Sequence, residues 1–91
     1  MMFAIIGTDA EDSKEKRVIH REAHLRNLER LESEGKLVLA GPFTDITGSL
    51  VVIEADSMEE AQLFIQNDPY VIHGVFQSYE IKPFKKVFPK E

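Results

Sequence analysis

The order of apolar and polar positions along the chain predicts four strands and two helices. Short runs rich in β-branched and aromatic residues, closed by glycine or other turn formers, are typical of strands. These runs cover residues 2–7, 36–41, 49–55 and 75–81. Two longer segments, 13–35 and 56–68, are typical of helices because their apolar residues recur every three or four positions.

Both helices have recognisable ends and an apolar side. The first helix is expected to bury the residues that recur at helical spacing, which are Val18, Leu25, Leu28 and Leu31. Gly35 is a suitable C-terminal stop for it. The second helix is expected to begin with a cap at Asp56 or Ser57, because a glutamate three residues later can complete a capping box.

The predicted element order is βαββαβ, the split βαβ arrangement. It places two helices on one face of a four-stranded antiparallel sheet. The sequence therefore predicts an α+β, ferredoxin-like fold over residues 1–91, as a single domain.

Alternation within the strands predicts what covers the other face of this sheet. A sheet with one wet face should alternate apolar and polar residues, but three of the strands are apolar on both faces. In the second strand, for example, Leu37 and Leu39 should lie on one face and Val38 and Ala40 on the other. Two helices cover only one face, so we predict a homodimer that packs sheet against sheet. The fourth strand carries polar residues, as an edge position would allow.

Composition and charge narrow the possible partners. The chain has no cysteine and a formal charge of −5, which excludes thiolate chemistry and argues against a nucleic-acid partner. No apolar run approaches the ~20 residues that cross a bilayer. We therefore expect a cytoplasmic protein with no membrane partner.

Two histidines four residues apart, His20 and His24, share one face of the first helix. One interpretation is a pair of metal ligands. No third ligand completes such a site, and the order of residues differs from the zinc-protease pattern H-E-x-x-H, so we predict no metal. The alternative is that His24, next to Leu25, is a half-buried histidine with a local hydrogen-bond partner.

Asp68 directly precedes Pro69, and this order favours the end of one helix and the start of a short turn. An aspartate there is a good N-cap, with proline at the first helical position. Capping uses only one carboxylate oxygen, so the other could hold an imidazole. From the residues alone, Asp68 is either a cap or a cap that also pairs with a histidine.

Five short motifs occur in an order that resembles the YciI-like (YCII-related) family of the dimeric α/β barrel group. They are REAHL at 21–25, LVLAGP at 37–42, GS at 48–49, NDPY at 67–70 and KPFKKVF at 82–88. The resemblance implies a ferredoxin-like fold that dimerises through its sheets. It also implies a relation to muconolactone isomerases, and to a dehydrochlorinase of a chlorinated hydroxyhydroquinone.

The same resemblance implies a His-Asp pair at His24 and Asp68. In an enzyme of this kind, Asp68 would orient the imidazole, and His24 would act as general base on a small cyclic or aromatic substrate, without a cofactor. Arg21, Ser49 and Tyr70 would then bind the substrate. Alternatively, Arg21 forms a surface ion pair with an acidic neighbour such as Glu22 or Glu29. Ser49 and Tyr70 would then be structural.

Other functions are compatible with the same pattern. A small dimeric domain of this fold could be a ligand-binding or regulatory module without chemistry, because fold does not decide function. A cofactor-independent oxygenase of the wider group would also need a small aromatic substrate. The sequence leaves the substrate open.

Overall fold

The computed structural model describes residues 1–90, which form four strands and three helices. The elements in chain order are β1 (Met2–Asp9), α1 (Ser13–Ser33), β2 (Leu37–Pro42), β3 (Gly48–Glu54), α2 (Met58–Gln66), α3 (Pro69–Ile72) and β4 (Phe76–Phe84). All four predicted strands and both predicted helices are present. The third helix, α3, is the short turn expected after Asp68.

The strands form one antiparallel sheet in the order β2-β3-β1-β4. The expected edge position of β4 is confirmed. One face of the sheet meets α1 and α2 in a single apolar core, whose buried members include Phe3, Ile5, Val51 and Ile53 of the sheet and Leu28, Leu31, Ala61 and Ile65 of the helices. The predicted ferredoxin-like α+β fold is therefore confirmed.

The ends of both long helices follow the expected signals. The Ser57 side chain accepts a hydrogen bond from the backbone N–H of Glu60 at 3.2 Å, so Ser57 rather than Asp56 caps α2. Gly35 follows α1 with φ of 73°, a left-handed conformation that glycine adopts without a steric penalty. No helix between residues 1 and 90 has the length and apolar character needed to cross a membrane.

The buried side of α1 agrees with the prediction at Leu28 and Leu31, which are buried, but differs from it at Val18 and Leu25. Val18 is 71% exposed and Leu25 is 47% exposed. The buried or half-buried side instead carries residues three or four apart, which are Arg17, His20, His24, Leu28 and Leu31. The apolar pattern failed here because the first half of α1 packs against α3 through polar side chains, and only its second half meets the core.

The predicted facing of Leu39 is also wrong, because β2 contains an irregularity. Leu37 pairs with Ile53, but Leu39 pairs with Val52, so Val38 is an extra residue in the strand. A bulge of this kind reverses the facing of every residue that follows it. Leu39 therefore lies on the face opposite to that of Leu37.

The bulge also decides which residue of β2 faces α1. Ala40 pairs with Val51, whose side chain belongs to the core beneath the helices. In a regular ladder starting at Leu37, Leu39 would take that place. The small side chain of Ala40 therefore occupies the position that the larger side chain of Leu39 would take in a regular strand. This difference leaves space between β2 and α1.

The far face of the sheet, away from the helices, is apolar as predicted. It bears a cavity of about 520 Å³, whose walls include Met2, Ala4, Leu39, Leu50, Val52 and Phe84. Leu39 is 50% exposed and Phe84 is 53% exposed. Large apolar surface is thus open to solvent in the single chain.

Candidate active site

His24 and Asp68, 44 residues apart in sequence, form a buried pair between α1 and α3. His24 Nδ1 lies 2.8 Å from Asp68 Oδ1. Asp68 is 1% exposed and His24 is 7% exposed. The structure thus brings together the two residues for which a pairing was predicted.

Asp68 is also the N-cap of α3, so its two possible roles coexist. Its Oδ1 accepts a second hydrogen bond, from the backbone N–H of Tyr70 at 2.8 Å. Its Oδ2 accepts one from the Asn27 amide at 2.9 Å, and the Asn27 carbonyl in turn accepts one from Arg30. Three donors compensate the carboxylate for the water that burial removes.

The partners of His24 fix the state of its ring. A carboxylate only accepts hydrogen bonds, so Nδ1 carries the hydrogen that lies toward Asp68, and in the neutral ring Nε2 has the free lone pair. Tyr70 stacks on the imidazole with ring centroids 3.8 Å apart and an angle of 7° between the planes. Within residues 1–90, Nε2 has no hydrogen-bond partner, and no side-chain nitrogen or oxygen is both buried and unpartnered. Nε2 is therefore open to a molecule that approaches His24.

A cavity of about 300 Å³ lies beside His24, between α1 and the edge of the sheet formed by β2 and β3. Leu25, Leu28 and Val51 give it aliphatic walls, and Ala40 borders it where the bulge leaves space. A volume near the lower end of the range for ligand sites suits a compound with one ring. Four of the predicted site residues line it, namely Arg21, His24, Ser49 and Tyr70. Asp68 lies behind His24.

Arg17, which the sequence interpretation missed, is a further wall of the cavity. Its Nε and Nη2 donate to the two oxygens of Asp9 at 3.0 and 2.8 Å, and Nη2 also donates to Ser49 Oγ at 3.0 Å. The hydrogen bonds to Asp9 raise the pKa of Arg17 above its ordinary value, against the opposing effect of burial. The signal that could have found Arg17 is its spacing, since Arg17, Arg21 and His24 recur at intervals of four and three residues.

Arg21 lies at the exposed mouth of the cavity. In the part of the chain that the structure describes, it forms no ion pair with Glu22 or Glu29, which the alternative interpretation expected. The loop after β2 adjoins it, because Arg21 also borders a smaller cavity with Phe43 and Ile46. Its guanidinium can therefore meet an incoming ligand.

His20 does not form a site with His24. Its ring stacks on that of His73, with centroids 4.0 Å apart and planes 2° from parallel. Desolvation, and then the charges of His73 and Lys16, lower the pKa of His20. No group of three histidine, aspartate or glutamate side chains among residues 1–90 is placed to hold a metal ion.

Several known proteins are similar to this chain in sequence. The sequence model of the YCII-related domain matches residues 1–85. Protein YciI of Escherichia coli O6:H1 is 43% identical over 97% of this chain and the whole of the relative. An uncharacterized protein of Haemophilus influenzae is 37% identical with the same coverage.

A solved structure shares the fold. It is the 5-chloro-2-hydroxyhydroquinone dehydrochlorinase (TftG) from Burkholderia phenoliruptrix, in complex with 2,5-dihydroxybenzoquinone. The two chains superpose with a TM-score of 0.84 and 32% identity, over 93% of this chain and 94% of that one. The likeness therefore extends over nearly the whole of both chains.

Proposed function

The chain belongs to the YCII-related family, and from this membership we propose that it is a small enzyme that transfers a proton on a one-ring substrate. The proposed reaction is an elimination or an isomerisation, with no cofactor. The observation that carries this proposal is the buried His24–Asp68 pair, whose free Nε2 is open beside a cavity of about 300 Å³. The dehydrochlorinase of similar structure supports the reaction class by analogy.

In the proposed mechanism Asp68 holds the Nδ1–H of His24 and so orients the ring. Nε2 then removes a proton from a hydroxyl or an acidic carbon of the substrate, and the resulting imidazolium is stabilised by the carboxylate. In an elimination, the electrons of the broken bond enter the ring and a halide leaves from another carbon with its bonding pair. In an isomerisation, His24 returns the proton at a different carbon.

Three further residues are proposed to bind the substrate. Arg21 would attract an ionised substrate at the mouth, and Ser49 would hold one of its oxygens. Tyr70, 2% exposed and stacked on His24, would contact the substrate at the cavity wall and also limit how the imidazole can move. These roles rest on the position of each residue at the cavity.

Chloride release from 5-chloro-2-hydroxyhydroquinone, followed with a chloride electrode, is a direct test. Asp68→Asn is the informative variant, since asparagine also caps helices but cannot stabilise an imidazolium by charge. We expect kcat to fall by about 10²–10⁴-fold with little change in KM, and His24→Gln to lose as much. Circular dichroism checks that both variants fold.

A related panel of halogenated hydroquinones and unsaturated lactones extends the test to isomerisation. If the wild type binds members of the panel but turns none over, the protein is a ligand-binding module and the proposed chemistry is wrong. Turnover that both variants retain would contradict the assigned roles of His24 and Asp68.

We also propose that a second copy of the chain covers the far face of the sheet. The apolar cavity there and the exposed Leu39 and Phe84 support this proposal. Burial of apolar area is the main favourable term in association, and a chain of this size has a small core of its own.

A further inference from the structure

We propose that the cavity binds an ionised ring oxygen, a phenolate or enolate, through the hydroxyl of Ser49 with Arg17 behind it. The inference rests on the proposed function for the location of the site. Beyond that function, Ser49 and Arg17 hold the substrate's negative charge, and Asp9 keeps Arg17 in place.

The direction of the hydrogen bond between Arg17 and Ser49 is fixed by chemistry. A guanidinium has only donors, so Ser49 Oγ must accept from Arg17 Nη2 across their 3.0 Å. Within residues 1–90 the hydroxyl hydrogen of Ser49 has no acceptor of its own. Ser49 is 4% exposed and lines the cavity, so this hydrogen is available to a ligand oxygen.

Arg17 strengthens this donor. The positive charge beside Oγ polarises the O–H bond, and hydrogen bonds that involve a charged group are about twice as strong as neutral ones. Three of the five N–H groups of Arg17 are engaged by Asp9 and Ser49. The guanidinium carbon of Arg17 also lies 5.1 Å from the centre of the Tyr70 ring, and Tyr70 contributes to the raised pKa of Arg17. Arg17 therefore acts on an oxygen in the cavity through Ser49.

Asp9 keeps the arrangement rigid. Its carboxylate, 5% exposed, binds Arg17 through two parallel hydrogen bonds and accepts a third, from Ser13 Oγ at 3.1 Å. A fork of this kind fixes the plane of the guanidinium. Arg17 is therefore already placed before a ligand enters, and the ligand does not have to order a flexible side chain.

The role of Ser49 and Arg17 differs from that of Arg21. Arg21 is exposed at the mouth, so salt screens its attraction for an anion. Ser49 and Arg17 are largely buried and directional, so they distinguish an ionised oxygen from a neutral one of the same shape. Ser49 and Arg17 therefore select substrates whose ring carries a free, acidic hydroxyl.

Two quinones of similar shape test the proposal by titration calorimetry. The first is 2,5-dihydroxybenzoquinone, whose hydroxyls ionise, and the second is 2,5-dimethoxybenzoquinone, whose oxygens cannot. We expect the wild type to prefer the dihydroxy compound, and Ser49→Ala to weaken its binding by about 10- to 100-fold. Binding of the dimethoxy compound should be the same in both proteins.

Matched variants control for folding and for general charge. Ser78→Ala removes an exposed hydroxyl from β4 and should bind both quinones like the wild type. Arg17→Gln is combined with Asp9→Asn, so that no buried carboxylate loses its partner, and should also lose the preference for the dihydroxy compound. Arg21→Gln should weaken binding of the dihydroxy compound chiefly at low salt, because salt screens the exposed charge of Arg21.

The outcomes separate this proposal from the enzymatic one, because binding of these probes needs no turnover. Equal affinity of the wild type for both quinones, or unchanged binding in Ser49→Ala, overturns the oxygen site even if chloride release is observed. Loss of the preference in Ser49→Ala, together with no turnover of any substrate, supports the oxygen site and leaves a ligand-binding protein.

Discussion

At the scale of single residues, Asp68 combines a structural and a chemical role in one carboxylate. Its Oδ1 caps α3 and faces His24, and its Oδ2 is held by Asn27. The cap could be predicted because it depends on neighbours in sequence. The partner could not be derived from spacing alone, because it lies 44 residues away and only the fold brings it close.

Ile46 offers a test of local backbone strain. Among residues 1–90 it is the one non-glycine residue with a positive φ, which is 66°. Its side chain is 74% exposed. A β-branched residue in the left-handed region costs roughly 1–2 kcal/mol, and asparagine tolerates this region better. We expect Ile46→Asn to raise the free energy of unfolding by about 1 kcal/mol in urea denaturation.

Thr44→Asn is the control for this change, because Thr44 is exposed in the same loop without positive φ. It should alter the free energy of unfolding by less than about 0.5 kcal/mol. A variant Ile46→Asn no more stable than Thr44→Asn would mean that the loop stores no strain at this residue.

At the scale of elements, the contact between α1 and α3 holds the candidate site together. His24 binds Asp68, His20 stacks on His73, and Lys16 Nζ donates to the carbonyl of Gly74 at 3.4 Å. One of these links contains His20, whose pKa is lowered in the folded protein. The stability of this contact should therefore depend on pH.

The sign of that dependence follows from His20. Its pKa is lowered by desolvation and by the charges of His73 and Lys16, so the folded protein disfavours the protonated ring. The contribution to stability is present above about pH 6.5, the pKa of an unfolded histidine. It is lost as the pH falls through the lowered pKa of His20, because the unfolded chain binds the proton first.

His20→Gln should remove the part of the pH dependence of stability that comes from His20. Urea unfolding at about pH 7.5 and about pH 5 is expected to show a smaller loss of stability in the variant than in the wild type. Arg26→Gln, an exposed change on the same helix to a residue that does not titrate, should behave like the wild type. An equal loss in all three proteins would exclude His20 as a source of the pH dependence.

The type of each element could be predicted from the sequence, but the buried side of α1 and the facing of Leu39 in β2 could not. The spacing of apolar residues identifies the buried side of an element only where that side is buried by apolar contacts. On α1 the buried side holds polar residues, because Arg17 and His24 line the cavity and His20 stacks on His73. In β2 both possible registers place apolar residues on both faces, so the pattern contains no information that distinguishes a bulge from a regular strand.

At the scale of the whole molecule, the proposed dimer can be tested by a single charge. Leu39→Glu places a carboxylate on the far face, where Leu39 is 50% exposed in the single chain, so folding should survive. In a symmetric dimer both copies would bury that charge, and we expect the dissociation constant to rise on the order of 100-fold or more. Sedimentation should then show a 10.4 kDa species.

Leu63→Glu is the matched control, since Leu63 is 62% exposed on α2, on the helix side of the sheet. It should remain dimeric like the wild type. If the wild type itself sediments as a single chain at micromolar concentration, the proposed dimer is wrong.

The cytoplasmic location and the absence of a nucleic-acid partner remain predictions from composition.

The bulge in β2 has a consequence for comparisons among relatives. Val38 is the residue that no partner on β3 matches, since Leu37 and Leu39 pair with successive residues of that strand. A relative that lacks this one residue could keep every later pairing, and with it the small side chain at the cavity. A one-residue gap at this place in an alignment would therefore mark a regular strand, with the cavity lining unchanged. The length of β2 can therefore change by one residue among relatives while the shape of the cavity stays the same.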